Sequence, residues 1–261
     1  MSKGGTMSAE RAPGATGFAD LELVERLARE IDTLGREVGL PFIAVSADIS
    51  SPRPMVGIDA KPLAETLFRW IDPTLEYWRD RAFALRAPFV FATRLTSEPF
   101  YFQDGRLQTW RPTGWTQAMG AIDPGDMFGV ATAIVAPAYQ PRGVIGAVVW
   151  ASPEPDVDVA EVFATRACEF HLLALRLTGA YQEAALGARK DMARLTRREI
   201  QCLKWAAAGK TDGEIAAIVQ IATPTVRFHM INAADKLGVA GRSQTVHRAA
   251  TLGYIGAVGG G

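Results

Sequence analysis

The residue pattern predicts an α+β chain in two parts, an N-terminal α-β-α sandwich followed by an all-α unit of four helices. Three observations carry that prediction. Two apolar, strand-like runs, 131–136 and 143–151, lie between amphipathic segments of helical spacing. Residues 195–261 hold helix-start and helix-stop signals in close succession with no strand signal between them. The charge also divides: the chain is neutral overall, yet residues 195–261 carry eight Lys and Arg against four Asp and Glu, leaving an acidic body upstream. A basic unit behind an acidic body suits a polyanion as the partner of the tail.

A length of 261 residues with 48% hydrophobic content supplies apolar surface for two ordinary domains. Cys168 and Cys202 are too few and too far apart for a disulfide framework or a zinc site, so a reduced, cytoplasmic compartment is expected. The opening MSKGGTMSAERAPGATG lacks an apolar signal core, and no apolar run reaches the roughly 18 residues that would span a bilayer; neither secretion nor a membrane is expected. Catalysis is disfavoured as well. The chain has no GxSxG, no Walker loop, no GxGxxG after a strand and no HExxH, and its three histidines are scattered at 171, 229 and 247. No catalytic residue, cofactor or metal is expected.

Residues 1–18 are rich in Gly, Ala and Ser without periodicity and read as a disordered leader. Order is expected from near Asp20, where Leu21, Leu23, Val24, Leu27, Ile31 and Leu34 fall at helical spacing until Gly39 and Pro41 stop the helix. Residues 42–47 alternate like a strand. A second helix is expected from Pro62 to about Leu85, with the proline tolerated in its first turn. The aromatic, proline-broken stretch 87–115 reads as short helices and strands, and AYQPR at 138–142 as the turn joining the two better strands. A long helix from Val157 to about Arg189 closes a first domain of residues 19–186. Residues 187–194 form the linker to a second domain, 195–261. Helices on both sides of a sheet make a shape that often holds a small molecule.

The second domain opens on a capping box. Thr196 caps the backbone while Glu199, three residues on, reaches back to the cap's own N–H, and Thr211 with Glu214 repeats the device. A third helix is signalled by Thr223 as cap, Pro224 in the first turn and Gly238 just beyond Leu237. Val226, Met230, Ala233 and Leu237 make its buried stripe. Arg227, Phe228, Ile231 and Asn232 occupy the other face near the N-terminal end, where recognition helices touch base edges. A fourth helix spans 243–252.

On these residues the segment from Leu195 to Ile255 resembles the LuxR-type DNA-binding domain from end to end. Glu199, Leu203 and Gly209 match framework positions, as do the run from Thr225 to His229 and the KLGV at Lys236–Val239. The resemblance implies a helix-turn-helix regulator that binds double-stranded DNA, as a homodimer on palindromic promoter sites, and that touches RNA polymerase if it activates. The expected DNA contacts are Thr225, Arg227, Phe228, Ile231, Asn232, Lys236 and Arg242, with Arg227 as guanine reader, Phe228 and Ile231 against thymine methyls, and Lys236 and Arg242 on phosphates. The lesser alternative is that Phe228 and Ile231 form a packing patch against another helix. Gln220 stands where the family has glycine; if that position needs positive φ, glutamine costs roughly 1 kcal/mol there.

Residues 20–185 resemble the autoinducer-binding domain of quorum-sensing LuxR regulators, which recognise acyl-homoserine lactones. Anchored on Pro88 and on Pro99-Phe100, the resemblance puts Thr74, Trp78, Ala87 and Phe102 where that family has its lactone-reading Trp, Tyr, Asp and second Trp. None of the four is kept. The ligand-site candidates are therefore Trp70, Thr74, Trp78, Ala87, Phe89 and Phe102, lining an aromatic cavity for a small molecule other than a standard acyl-homoserine lactone. Three readings stand beside this one: a ligand-independent regulator whose aromatics simply fill the core, a standard lactone receptor, and a regulator controlled by a protein partner. A phosphorylated receiver domain is disfavoured, because the acidic pair and the strand-helix alternation it needs are missing.

Overall fold

The computed structural model describes residues 15–77, 86–186 and 193–256. The chain divides near residue 188 into two compact units. Helix α1 (Ala15–Glu37) begins ahead of the Asp20 start read from the sequence; residues 1–14 of the expected leader lie outside the described residues, as do residues 187–192 of the expected linker. Val24, Leu27, Ala28, Ile31 and Leu34 are buried along one stripe of α1. The helix ends where the sequence indicated. Gly39 takes φ +78°, which only glycine adopts without strain, and the Leu40 N–H donates to the Gly35 carbonyl at 2.8 Å as the chain turns into the sheet.

The sheet has five strands, β1 (Phe42–Ser46), β2 (Phe100–Gln103), β3 (Arg106–Gln108), β4 (Thr132–Gln140) and β5 (Val144–Ser152), in the order β1-β5-β4-β2-β3 with every neighbouring pair antiparallel. Strand β4 runs through most of the expected AYQPR turn, and the reversal sits at Pro141–Gly143. Side chains alternate between the two faces, as the pleat requires. Ile43, Val45, Ile134, Ala136, Val148 and Trp150 enter one core, shared with α1 and with the long helix α5 (Val159–Leu186). Phe100, Phe102, Ala133, Val135 and Ala151 enter a second core on the opposite face. Both faces of β4 and β5 are covered, which explains their continuous apolar runs.

Over residues 62–77 the expected helix from Pro62 to Leu85 is corrected by the structure; residues 78–85 of it lie outside the described residues. Helix α2 covers only Leu63–Thr66. Pro73 offers no N–H to a helix, and the Asp72 carboxylate bonds the backbone N–H of Thr74 at 2.8 Å and its hydroxyl at 2.7 Å, closing a local turn instead. The irregular chain still has a task. The Arg69 carbonyl accepts from the Ile43 N–H at 2.7 Å and the Tyr77 hydroxyl from the Val45 N–H at 3.1 Å, so the outer edge of β1 is not left open to another chain. Burial raises the Tyr77 phenol above its ordinary pKa, so it stays neutral in that role. Helices α3 (Pro88–Thr93) and α4 (Gly114–Met119) complete the short elements expected between 87 and 115.

The second unit consists of α6 (Arg197–Ala207), α7 (Asp212–Val219), α8 (Thr223–Leu237) and α9 (Arg242–Thr251). Their core holds Cys202, Leu203, Ile215, Val219, Val226, Met230, Ala233, Leu237 and Ala249.

Candidate functional site

Both capping boxes form as the sequence indicated. The Thr196 hydroxyl accepts from the Glu199 N–H at 3.3 Å while the Glu199 carboxylate accepts from the Thr196 N–H at 2.7 Å, and Thr211 with Glu214 repeats this at 3.3 and 2.8 Å. The cap of α8 differs. Ala222 is the N-cap, without a side-chain bond, and Thr223 is the first helical residue. The turn before it is closed from the other side: Gln220 sits in the left-handed region at φ +57°, and the Ile221 N–H donates to the Ala216 carbonyl at 3.0 Å. A glutamine in that conformation carries steric strain that glycine does not. Gln220→Gly is expected to raise the stability of this unit by about 1 kcal/mol, measured by chemical denaturation; a loss of stability would contradict the reading of the turn.

Helix α8 presents two opposed faces. Val226, Met230, Ala233 and Leu237 are buried, and Gly238 ends the helix at φ +65°. On the other face Phe228 is 59% and Ile231 60% exposed, with Arg227 exposed beside them and Thr225 and Asn232 half-buried. Among the described residues no helix of their own unit covers Phe228 or Ile231.

Several charged side chains of this unit are held by partners on it. Lys236 places its ammonium 2.7 and 2.9 Å from the two carboxylate oxygens of Glu199, whose side chain is 3% exposed. Burial by itself would raise the Glu199 pKa, but the bonds from Lys236 and from the Thr196 backbone outweigh it and hold the carboxyl below its ordinary range. Asp212 sits between two cations, with one oxygen 3.4 Å from Arg227 Nε and the other 2.5 Å from a terminal nitrogen of Arg242. Arg242 also donates to the Lys210 carbonyl. Thus Lys236 and Arg242, expected on phosphates, have carboxylate partners in the free chain.

In the first unit, Trp70, Phe89 and Phe102 belong to the core on the second face of the sheet, and the rings of Phe89 and Phe102 meet edge-to-face at 5.8 Å. Phe100 and Trp115, which sequence reasoning did not select, pair in the same core at 5.4 Å; an aromatic placed two residues before Phe102 on a strand was the available signal. Ala87 is 4% exposed at the N-terminus of α3. Thr74 stands apart from this group, exposed in its turn with its hydroxyl on Asp72. Trp78 lies outside the described residues. The indole Nε1 of Trp70 is buried and has no hydrogen-bond partner among the described residues.

Among the described residues no three His, Cys, Asp or Glu side chains are grouped to hold a metal, and no helix is long and apolar enough to cross a membrane. Both cysteines are unpaired.

An antiparallel sheet clothed on both faces, followed by a four-helix unit in which α8 leaves one face exposed, defines a two-part protein with a helix-turn-helix in its second unit. The description "Autoinducer binding domain" matches residues 24–181, and "Bacterial regulatory proteins, luxR family" matches residues 193–249. The chain belongs to the luxR family of bacterial regulatory proteins, with an autoinducer-binding domain as its first unit. It is 50% identical over 66 residues to the transcriptional activator protein VanR of Vibrio anguillarum, covering 25% of this chain and 28% of that protein. It is 38% identical over 125 residues to the quorum sensing-dependent transcriptional regulator VjbR of Brucella abortus, covering 47% of each. The chain thus spans less than half the length of these curated relatives. A crystal structure of Escherichia coli SdiA aligns over 89% of this chain and 92% of its own, at 19% identity and a TM-score of 0.49. The relatives are regulators rather than enzymes.

Proposed function

We propose that this chain is a cytoplasmic, sequence-specific DNA-binding transcription regulator that places the α8 helices of a homodimer in successive major grooves of a palindromic site. The observation that carries the reading is the pair of exposed apolar side chains, Phe228 and Ile231, flanking Arg227 on the uncovered face of a helix whose other face is fully packed. A solvated surface gains nothing from two such side chains. Base edges with thymine methyls and a guanine reward them and the arginine together. Thr225 and Asn232 border the same face.

The test uses the full chain and a duplex selected by it from a randomised pool. Arg227→Ala is expected to weaken binding to that duplex by about 2 kcal/mol, roughly thirtyfold, and to relax preference at one position of each half-site. An unchanged affinity and footprint would overturn the placement of α8.

For the first unit the same proposal assigns a small molecule other than a standard acyl-homoserine lactone. Ala87 offers no carboxylate to a ligand amide, and Thr74 sits on an exposed turn already bonded to Asp72. A buried amide left without a partner costs about 1–3 kcal/mol. The indole N–H of Trp70 favours a bound ligand over a purely filled core, because an acceptor atom there would recover a similar amount. Nanomolar binding of a common acyl-homoserine lactone in a calorimetric titration would overturn this half of the proposal.

A further inference from the structure

Asp212 is the first residue of α7, yet its carboxylate reaches two arginines from two other helices, Arg227 of α8 and Arg242 of α9. The geometry is ordered from the inside outward. Arg242, with its side chain 38% exposed, is fixed twice, by the Lys210 carbonyl and by one oxygen of Asp212. Asp212 is 28% exposed, and its second oxygen lies 3.4 Å from Nε of Arg227, whose side chain is 69% exposed. Solvent-exposed ion pairs of this kind contribute little to stability, so the arrangement needs another reason. A carboxylate beside a DNA-binding face also repels phosphates, which makes its presence there costly unless it does something for the arginine.

We infer that Asp212 is a positioning residue for base recognition: anchored by Arg242, it holds Arg227 by Nε and leaves the two terminal nitrogens of that guanidinium free to bond a guanine edge. Bidentate contact with guanine uses two donors of the planar guanidinium together. An arginine side chain that is held in advance loses less rotamer freedom on binding. The carboxylate also takes Arg227 and Arg242 away from phosphates, which trades sequence-independent attraction for discrimination. Arg242 is then a support of the reading side chain, and its phosphate contact is secondary. This inference rests on the reading of α8 as the helix that meets the bases, and it adds a residue outside that helix.

The experiment compares the full-length protein with Asp212→Asn, Arg227→Ala and the double variant. Binding is measured to the duplex selected by the parent chain, to the same duplex with the guanine read by Arg227 replaced, and to mixed genomic DNA. Asparagine keeps the size and the helix-start propensity of the residue it replaces, so the unit is expected to stay folded. Asp212→Asn is expected to lower discrimination between the first two duplexes about tenfold, to tighten binding to genomic DNA, and to steepen its salt dependence by about one unit of slope. In the Arg227→Ala background the same change is expected to leave discrimination untouched, since its effect passes through that arginine. Retention of full discrimination by Asp212→Asn, while Arg227→Ala loses it, overturns the positioning role and leaves the reading of α8 standing. Retention by both overturns the reading of α8 itself. An equal loss with and without Arg227 shows that Asp212 acts by general support of the fold, which also overturns the inference.

Discussion

Replacing Trp150 with alanine is expected to lower the stability of the first unit by about 3–5 kcal/mol, a large share of what an ordinary domain possesses. Trp150 is fully buried on β5, between the sheet and the helices on its first face. Its ring meets Phe170 of α5 edge-to-face at 4.7 Å, and its Nε1 donates to the Ile31 carbonyl within α1 at 3.0 Å. The strand, the long helix that follows it and the distant α1 are therefore joined at one side chain. The fit is close enough that a methyl group on Gly35 of α1 would lie 2.9 Å from the indole and 2.6 Å from the Leu40 carbonyl. A space of that size lined by a strand and two long helices closes only partly when the ring is removed, so the cavity adds to the lost transfer free energy. Urea denaturation of the full chain followed by circular dichroism separates the two units if their transitions differ, and the shift should fall in the transition of the first. A decrease under 1 kcal/mol would mean that the space collapses without cost and that Trp150 does not knit the three elements.

The parts of this chain that were legible in the sequence are those whose chemistry is local. The capping boxes at Thr196 and Thr211, the buried stripe from Val226 to Leu237 and the stop at Gly238 each depend on residues within a few positions of one another. The same holds for α1, whose stripe and glycine stop were both readable. Over residues 62–77 the expected second helix failed because a proline tolerated in a first turn at Pro62 says nothing about the Asp72-Pro73 turn that breaks it, nor about Arg69 and Tyr77, which are drawn to the edge of β1. The sequence puts the cap of α8 at Thr223, one residue after the observed Ala222, because the turn ahead of it is closed by Gln220 in a conformation that glutamine disfavours. In the candidate site, the exposed face of α8 followed from helical spacing. The partners of Lys236 and Arg242 did not, because Glu199 and Asp212 lie on other helices and their approach is a product of the packing.

The contact between Lys236 and Glu199 carries the second large effect. Glu199 accepts from the Thr196 N–H as part of its capping box, and its carboxylate is otherwise enclosed, so Lys236 supplies the compensating charge. Lys236→Met keeps the length of the side chain and removes the ammonium. The buried carboxylate then loses its cation, and a loss of about 3 kcal/mol in the stability of the second unit is expected, at the low end for breaking a buried pair because Lys236 itself is partly solvated. The pH dependence distinguishes this from lost packing. In the parent chain the folded pKa of Glu199 is depressed. Its contribution is therefore complete above the ordinary carboxylate value of about 4.3 and is lost as pH falls through the lower folded value. In Lys236→Met the desolvation remains and the cation does not, so the folded pKa moves upward and protonation relieves the penalty. The gap between the two proteins should be widest near neutrality and shrink as pH falls, from the raised folded pKa of the variant, above the ordinary carboxylate value, down to the depressed one of the parent. A gap constant with pH would assign the loss to packing. A variant with unchanged stability and weaker DNA binding would show instead that Lys236 leaves Glu199 for a phosphate, and that the capping carboxylate stands in the fold without it.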